Sequence, residues 1–207
     1  KTNKNSLLGG EISFPKISVG ATENAIMAAV LAKGETVIHN AAREPEIIDL
    51  CNCLVSMGAI IEGIGSNKIE LQGVTSLLDA SHEVISDRIE ACTFIIAAAI
   101  TRSILKIKNI NISFIKKFLE VMDHMGLDYF YENNNIIINP VDELAPIKIK
   151  TEEFPGFPTD LQAQLMTLAC LSKGTSEIEE NIFENRFMHV PELNRLGADI
   201  KIMGSKA

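Results

Sequence analysis

The 207-residue chain has no tryptophan, 5% aromatic residues and only four cysteines. Its longest apolar run, 94–100, is far shorter than the roughly 20 residues that cross a membrane. Acidic residues outnumber basic ones by 27 to 19 and no basic stripe is present, which argues against nucleic-acid binding. The opening, Lys1 to Lys4, has no signal-peptide pattern, so we expect a cytoplasmic protein. With 46% hydrophobic and 22% charged residues, the composition is that of a folded globular protein.

The cysteines do not form a recognisable metal or redox motif. Cys51 and Cys53 make a C-x-C pair, but no second pair or histidine pair completes a zinc site. All four cysteines lie in apolar helical stretches, and none shows a neighbourhood that would stabilise a thiolate. We therefore predict four buried, unreactive thiols and no metal site.

Three glycines mark an internal repeat of about 70 residues. Gly58, Gly126 and Gly197 each follow a Met or Leu and close an amphipathic stretch, a pattern typical of helices that end at a left-handed glycine. The stretches are 45–57, 113–125 and 191–196. Further helices are predicted at 23–33, 89–101 and 161–173, and strands at 11–14, 35–39, 68–72, 103–107, 135–139 and 175–179.

These elements predict an α/β fold built from βαβαββ modules, each with two helices on a four-stranded sheet. The first repeat spans about 1–75 and the second about 76–144. The third begins near Leu144 and stops at Ala207, before its final strand. We therefore expect the chain to be a fragment.

The segment 16–22, Lys-Ile-Ser-Val-Gly-Ala-Thr, lies between the first strand and helix. Free N–H groups at a helix start favour an anion, Ser18 adds a hydroxyl, Gly20 permits close approach and Lys16 adds charge. The P-loop spacing is absent, and a plain helix cap explains the same residues.

A second motif, 154–164, begins with two prolines and a glycine ahead of a helix. Thr159 and Gln162 have the spacing of a capping box, so a structural role for Thr159 is expected. Asp160 falls in the first turn, where the helix dipole stabilises a carboxylate. The residues alone leave Asp160 open as either a helix-start carboxylate or an acid–base group.

A third motif, 184–193, is dense in polar residues where a strand passes to a helix. Arg186 has the geometry to bind a carboxylate or phosphate through two nitrogens. Pairing with Glu184 or another carboxylate is an equal alternative, and His189 is explained as an ordered turn residue.

Together these motifs resemble the UDP-N-acetylglucosamine 1-carboxyvinyltransferase family of enolpyruvyl transferases. The resemblance covers essentially all 207 residues, and the runs at 157–164 and 184–193 are its most specific parts. The sister family that makes 5-enolpyruvylshikimate 3-phosphate shares the repeats without these runs. The matching segments are Lys16–Thr22, Asn40–Asp49, Asp87–Phe94, Phe157–Gln164 and Phe183–Leu193.

The resemblance implies a two-lobed, inside-out α/β barrel of repeated modules, with the active site in the cleft between the lobes. Residues 1–86 would form part of the first lobe and 87–207 part of the second. The remaining parts of both lobes would lie outside this sequence.

The resemblance also implies the reaction. The family transfers the enolpyruvyl group of phosphoenolpyruvate to the 3′-hydroxyl of UDP-N-acetylglucosamine and releases phosphate, the first committed step of peptidoglycan synthesis. No cofactor is expected. Asp160 resembles the aspartate that works on the sugar hydroxyl, and Arg186 a cleft arginine that organises the closed state. The other candidate substrate-binding residues are Lys16, Ile17, Ser18 and Val19 for the UDP moiety, Gly20, Thr159, and Ile182 for a backbone contact with the sugar.

Three family features have no counterpart here: the mobile-loop cysteine, an N-terminal lysine–asparagine pair and the arginines for phosphoenolpyruvate. We therefore expect the 207 residues alone to be inactive. The alternatives are a non-catalytic module that binds the UDP-sugar and the sister shikimate enzyme.

Overall fold

A computed structural model describes residues 7–207. The first six residues of the predicted first repeat, and the Lys1–Lys4 opening that argued against a signal peptide, lie outside the described residues. The chain forms two compact units that divide between Ile85 and Ser86. The assignment of 1–86 and 87–207 to two lobes stays a prediction.

The first unit is one complete βαβαββ module. Its elements are β1 (Glu11–Ser13), α1 (Val19–Ala29), β2 (Glu35–His39), α2 (Pro45–Ser56), β3 (Ile60–Glu62) and β4 (Lys68–Gln72). The sheet order is β1-β2-β4-β3, in which β1 and β2 are parallel and the other pairs antiparallel. The predicted order of elements in the first repeat is therefore confirmed.

The core of the first unit lies between the two helices and one face of the sheet. Ile38 and Ile69 face each other across β2 and β4, and both are fully buried. Ile26 of α1 and Ile47 of α2 cover them and are also fully buried. Alternation of side chains along a strand puts this apolar row on a single face, which two helices can cover.

The second unit contains the remaining elements. They are α3 (Arg88–Thr101), β5 (Leu105–Ile107), a 3₁₀ turn (Ile112–Ile115), α4 (Lys116–Met125), β6 (Asp128–Glu132), β7 (Asn135–Asn139), β8 (Lys148–Lys150), a second 3₁₀ turn (Thr159–Leu161), α5 (Gln162–Ala169), β9 (Glu177–Glu179) and α6 (Val190–Arg195). One sheet has the order β5-β7-β6 and the other pairs β8 with β9 in parallel. A single apolar core runs through both.

The βαβαββ pattern predicts an opening strand for the second repeat, and this prediction is wrong. Between β4 and α3 the described residues form no strand, and this segment bonds to the first module instead. The Val74 amide donates to the Val30 carbonyl, and the Leu78 amide donates to the Met57 carbonyl. These bonds hold the segment against the helix ends of the first unit, so its backbone does not pair with β5.

The glycines that revealed the repeat end helices as predicted. Gly58, Gly126 and Gly197 have φ of +95°, +82° and +102°, a region that favours glycine. The first helix of the second repeat ends at Arg102, which adopts the same left-handed conformation with φ of +50°. The turn shape is therefore kept even where glycine is absent.

The small β8–β9 sheet carries rows of opposite charge. On β9, Glu177 is within 3.1 Å of Lys148 on β8 and 3.0 Å of Lys206 on its other side. Glu179 also lies 3.5 Å from Lys206. The antiparallel bridge between Glu179 and Lys206 places the acidic strand between two basic segments.

The prediction of four buried thiols is wrong for two of them. Cys51 and Cys92 are buried, but Cys53 is partly exposed and Cys170 is exposed. Burial raises the pKa of the Cys51 thiol to about 11 and raises the pKa of Cys92 further. Cys170 ends α5, where a turn at the surface exposes it, and its thiol still donates to the Met166 carbonyl at 3.2 Å. No helix within residues 7–207 is long and apolar enough to span a membrane.

Candidate functional site

The candidate residues of the first unit form the start of α1. Ser18 is the N-cap, and its hydroxyl oxygen accepts a hydrogen bond from the Ala21 amide at 3.3 Å. Thr22, fully buried one turn later, donates its hydroxyl to the Ser18 carbonyl at 2.8 Å. The same hydroxyl accepts from the Ala42 amide at 3.0 Å, which ties the helix start to the segment after β2.

The surface of this helix start is open to solvent. Lys16, Ser18 and Gly20 are exposed, whereas Ile17 and Val19 are partly buried against the core. Gly20 lies inside α1, and a Cβ built on it would meet no atom within 4 Å. Its expected role as a close-approach glycine therefore has no steric support within the unit, and binding by 16–20 stays a prediction.

The second unit brings Asp160 and Arg186 into contact. A guanidinium nitrogen of Arg186 donates to Asp160 Oδ1 at 2.7 Å, which resolves the open question of its partner in favour of Asp160 over Glu184. The Arg186 side chain is 36% exposed and the Asp160 side chain is 56% exposed, so a ligand can reach both. The Arg186 guanidinium also lies over the Phe183 ring, 4.9 Å from its centroid.

The capping-box prediction for Thr159 is wrong. Thr159 is the first residue of the 3₁₀ turn that precedes α5, and Pro158 occupies the cap position without a side-chain bond. The Thr159 hydroxyl instead donates to Glu180 Oε2 at 2.9 Å. A buried carboxylate across the turn therefore outcompetes the helix start for this hydroxyl. Asp160 consequently lies in the 3₁₀ turn, just ahead of the α-helix.

Glu180 is the centre of the hydrogen bonds beneath Asp160 and Arg186. It directly follows β9 and is only 5% exposed. Its Oε1 accepts from the Thr151 hydroxyl at 2.9 Å and from the Ile182 and Phe183 amides at 2.9 and 3.1 Å. With the Thr159 bond, four donors satisfy the buried carboxylate.

His189 stands at the start of α6, three residues after Arg186. Its Nε2 is 3.3 Å from the Met166 sulfur, and its ring makes an edge contact with Phe187. Burial lowers the pKa of this imidazole below its ordinary value, so the neutral form is favoured near neutral pH. This is consistent with an ordered turn residue.

The cluster has the chemistry to bind and polarise a hydroxyl-bearing ligand. Asp160 offers a carboxylate that accepts hydrogen bonds, and Arg186 beside it offers cationic donors. Within residues 7–207 no group of three or more His, Cys, Asp or Glu side chains is arranged to hold a metal ion. We name the group formed by Thr151, Thr159, Asp160, Glu180, Ile182, Phe183 and Arg186 the carboxylate cluster.

Sequence reasoning missed Glu180 and Thr151. Both lie among charged residues that look like solvent-exposed strand ends. The available signal was strand alternation: Glu180 is two residues after buried Ile178, and Thr151 is two residues after the partly buried Ile149, so each continues an inward-facing row.

The comparisons with known proteins define the class. Residues 2–206 match the family model described as EPSP synthase (3-phosphoshikimate 1-carboxyvinyltransferase), so the chain belongs to this family. The enolpyruvyl transferase NikO from Streptomyces tendae has the same fold, with a TM-score of 0.80 at 23% identity over 90% of this chain and 45% of that one. The predicted α/β fold of enolpyruvyl transferases is thereby confirmed.

Within this family, the chain is similar to UDP-N-acetylglucosamine 1-carboxyvinyltransferases. It is 52% identical over 206 residues to proteins of that name from Rickettsia africae and Rickettsia felis. The match covers 100% of this chain and 49% of each relative, so the chain spans about half their length. The resemblance predicted from the sequence motifs is confirmed.

Proposed function

We propose that this chain is part of an enzyme that transfers the enolpyruvyl group of phosphoenolpyruvate to the 3′-hydroxyl of UDP-N-acetylglucosamine. The observation that carries the proposal is the 52% identity over 206 residues to relatives named for this activity. We further propose that the reaction begins peptidoglycan synthesis in the cytoplasm, where nucleotide-activated sugars are made.

In the proposed reaction, the sugar 3′-oxygen bonds to C2 of phosphoenolpyruvate while the vinyl carbon gains a proton. Loss of that proton and cleavage of the C2–O bond to phosphate then give the enolpyruvyl sugar and inorganic phosphate. Asp160 would accept the hydroxyl proton as a general base. Its exposure of 56% and its position at a 3₁₀ turn support this role, because the carboxylate is both reachable and held in place.

Arg186 supports the role of Asp160 in two ways. Its guanidinium binds one carboxylate oxygen, and its stacking on Phe183 restricts the orientation of that contact. A sugar hydroxyl would approach the same carboxylate, so substrate binding would compete with or rearrange the ion pair. Binding of the UDP moiety by Lys16, Ile17, Ser18, Val19 and Gly20, and of the sugar by Thr159 and Ile182, belongs to the same proposal.

The test is phosphate release from the two substrates by the complete gene product, compared with its Asp160→Asn variant. We expect turnover to fall by roughly 10²–10⁴-fold, the usual contribution of a general base. Stability should change by no more than about 1 kcal/mol, because the Asp160–Arg186 pair is partly solvated.

Asp142→Asn is the matched control, since Asp142 is another aspartate of this unit facing an arginine, Arg102, at 3.9 Å. It should leave turnover unchanged. Equal turnover in Asp160→Asn and wild type would refute the general-base role. No phosphate release by wild type would refute the proposed reaction.

The sister shikimate reaction is the second candidate, because the matching family model carries the name of that enzyme. The same assay with shikimate 3-phosphate in place of the UDP-sugar distinguishes the two. Binding of the UDP-sugar without turnover would instead favour the non-catalytic module.

A further inference from the structure

We infer that Glu180 is a positioning residue, whose buried carboxylate holds the 3₁₀ turn carrying Asp160 and the loop carrying Arg186 in a fixed relation. The inference rests on the proposed function for its effect on turnover. Its structural part rests on the hydrogen bonds of Glu180 alone.

Glu180 connects three separate segments of the second unit. Thr151 lies just after β8, Thr159 begins the 3₁₀ turn, and Ile182 and Phe183 belong to the loop after β9. All three segments bond to the one carboxylate. Within the described part of the chain, the other side-chain hydrogen bond between the 3₁₀ turn and this loop is the Asp160–Arg186 pair.

The hydrogen bonds of Glu180 are better shielded from water than the Asp160–Arg186 pair. The Asp160–Arg186 pair is partly solvated, so by itself it fixes geometry weakly. Glu180 is 5% exposed and Thr151 is fully buried, so their hydrogen bonds compete little with water. The rigid connection therefore lies beneath the exposed pair.

Glu180 and Thr151 also hold the backbone of the loop after β9. The two consecutive amides of Ile182 and Phe183 point at Glu180 Oε1, and the Asn181 amide donates to the Thr151 hydroxyl at 2.9 Å. Three successive amides are therefore fixed by one buried pair. This directs the chain toward Arg186 and sets the ring of Phe183, on which the guanidinium rests.

Glutamine at position 180 should replace the carboxylate with little loss. Its amide oxygen can take the place of Oε1 and accept the same three donors. Its NH₂ group would face Thr159, whose hydroxyl can accept as well as donate. Alanine removes every one of these bonds together with the charge, whereas glutamine removes the charge alone. Comparison of Glu180→Gln with Glu180→Ala therefore separates the effect of the hydrogen bonds from that of the charge.

The experiment measures phosphate release and amide hydrogen exchange in the complete gene product. We expect Glu180→Ala to lower kcat by at least roughly tenfold through misplacement of Asp160, whereas Glu180→Gln restores most of it. Exchange at the Ile182 and Phe183 amides should rise at least about tenfold in Glu180→Ala while exchange at Ile178 stays near its wild-type rate.

Two control variants identify a merely structural effect. Glu179→Ala removes the neighbouring carboxylate on the outer face of β9, and Val121→Ala removes buried side-chain volume in α4. Neither should lower kcat of the folded protein. An equal loss of kcat in Val121→Ala, or unchanged exchange and kcat in folded Glu180→Ala, would overturn the inference.

If wild type releases no phosphate, the proposed function fails and the exchange comparison decides the positioning role by itself. Faster exchange confined to the Ile182 and Phe183 amides in Glu180→Ala would then support it. Exchange at the wild-type rate would refute it.

Discussion

Replacement of Thr22 by valine removes one hydroxyl from the interior of the first unit and leaves its shape unchanged. That hydroxyl donates to the Ser18 carbonyl at 2.8 Å and accepts from the Ala42 amide at 3.0 Å. Because Ala42 and Thr22 are both fully buried, water cannot replace the lost partner. The Ser18 carbonyl keeps its bond from the Thr22 amide at 3.0 Å, so only the Ala42 amide is left without a partner.

The expected cost follows from that single orphaned donor. A buried amide without a hydrogen bond costs about 1–3 kcal/mol, and the added methyl of valine leaves no cavity. Thr22→Ser is the matched control, because it keeps both bonds and loses one buried methyl, at a cost of about 1 kcal/mol. We expect valine to lower the free energy of unfolding of the first unit by more than serine does.

Amide hydrogen exchange in β2 is the assay, since tryptophan is absent and both tyrosines, Tyr129 and Tyr131, lie in the second unit. Where exchange follows unfolding of the unit, a loss of 1–3 kcal/mol speeds it by about 5- to 150-fold. Exchange at the wild-type rate in Thr22→Val would refute the hydrogen-bond argument. Faster exchange in Thr22→Ser than in Thr22→Val would show that packing of the methyl group dominates.

Two further predictions concern titrating side chains. Because burial lowers the pKa of His189, the imidazole binds a proton more readily in the unfolded chain than in the folded one. The contribution of neutral His189 to stability is therefore complete above pH of about 6.5 and declines as the pH falls. His189→Gln should therefore show a shallower loss of melting temperature below that pH than wild type, and identical slopes would contradict the assignment. Native-state alkylation followed by peptide mass spectrometry should label exposed Cys170 before buried Cys92 at any pH, and labelling of Cys170 should set in at a higher pH than that of a free thiol, because partial desolvation at the end of α5 raises its pKa. Faster labelling of Cys92 would contradict the burial that the structure assigns to it.

Elements specified by local chemistry were predictable from the sequence. Gly58 and Gly126 ended helices as expected, because a left-handed turn selects glycine and an amphipathic stretch precedes each one. Pro45 likewise begins α2, as its fixed φ allows. These features depend on neighbours in the chain, and so the sequence pattern is sufficient.

Features set by distant partners were not predictable. Thr159 has the spacing of a capping box, but its hydroxyl is taken by Glu180, 21 residues later. The segment that includes Leu78 was expected to open the second sheet, but it bonds to the end of α2 at Met57. In both cases a tertiary contact outcompetes the local preference, and nothing in the local sequence reports that contact.

Arg186 and Asp160 illustrate the same limit within the candidate site. Each was identified from its motif, but their mutual contact joins residues 26 positions apart. Charge and residue type indicated that Arg186 would bind a carboxylate or a phosphate, and only the fold selects Asp160 as its partner. The contribution of each side chain to turnover stays a prediction until the variants are measured.

The alternating charges on the β8–β9 sheet bear on how the protein avoids mispairing. Both edges of β9 are paired, one with β8 and the other with the 205–207 segment, so a second copy could pair with β9 only by replacing one of these neighbours. Such a replacement would set Glu177 and Glu179 against glutamates, and like charges directly opposite each other destabilise strand pairs. Its own neighbours, Lys148 and Lys206, instead supply the complementary sign on both sides. The complementary charges thereby favour the native neighbours of this three-residue strand over a second copy of itself.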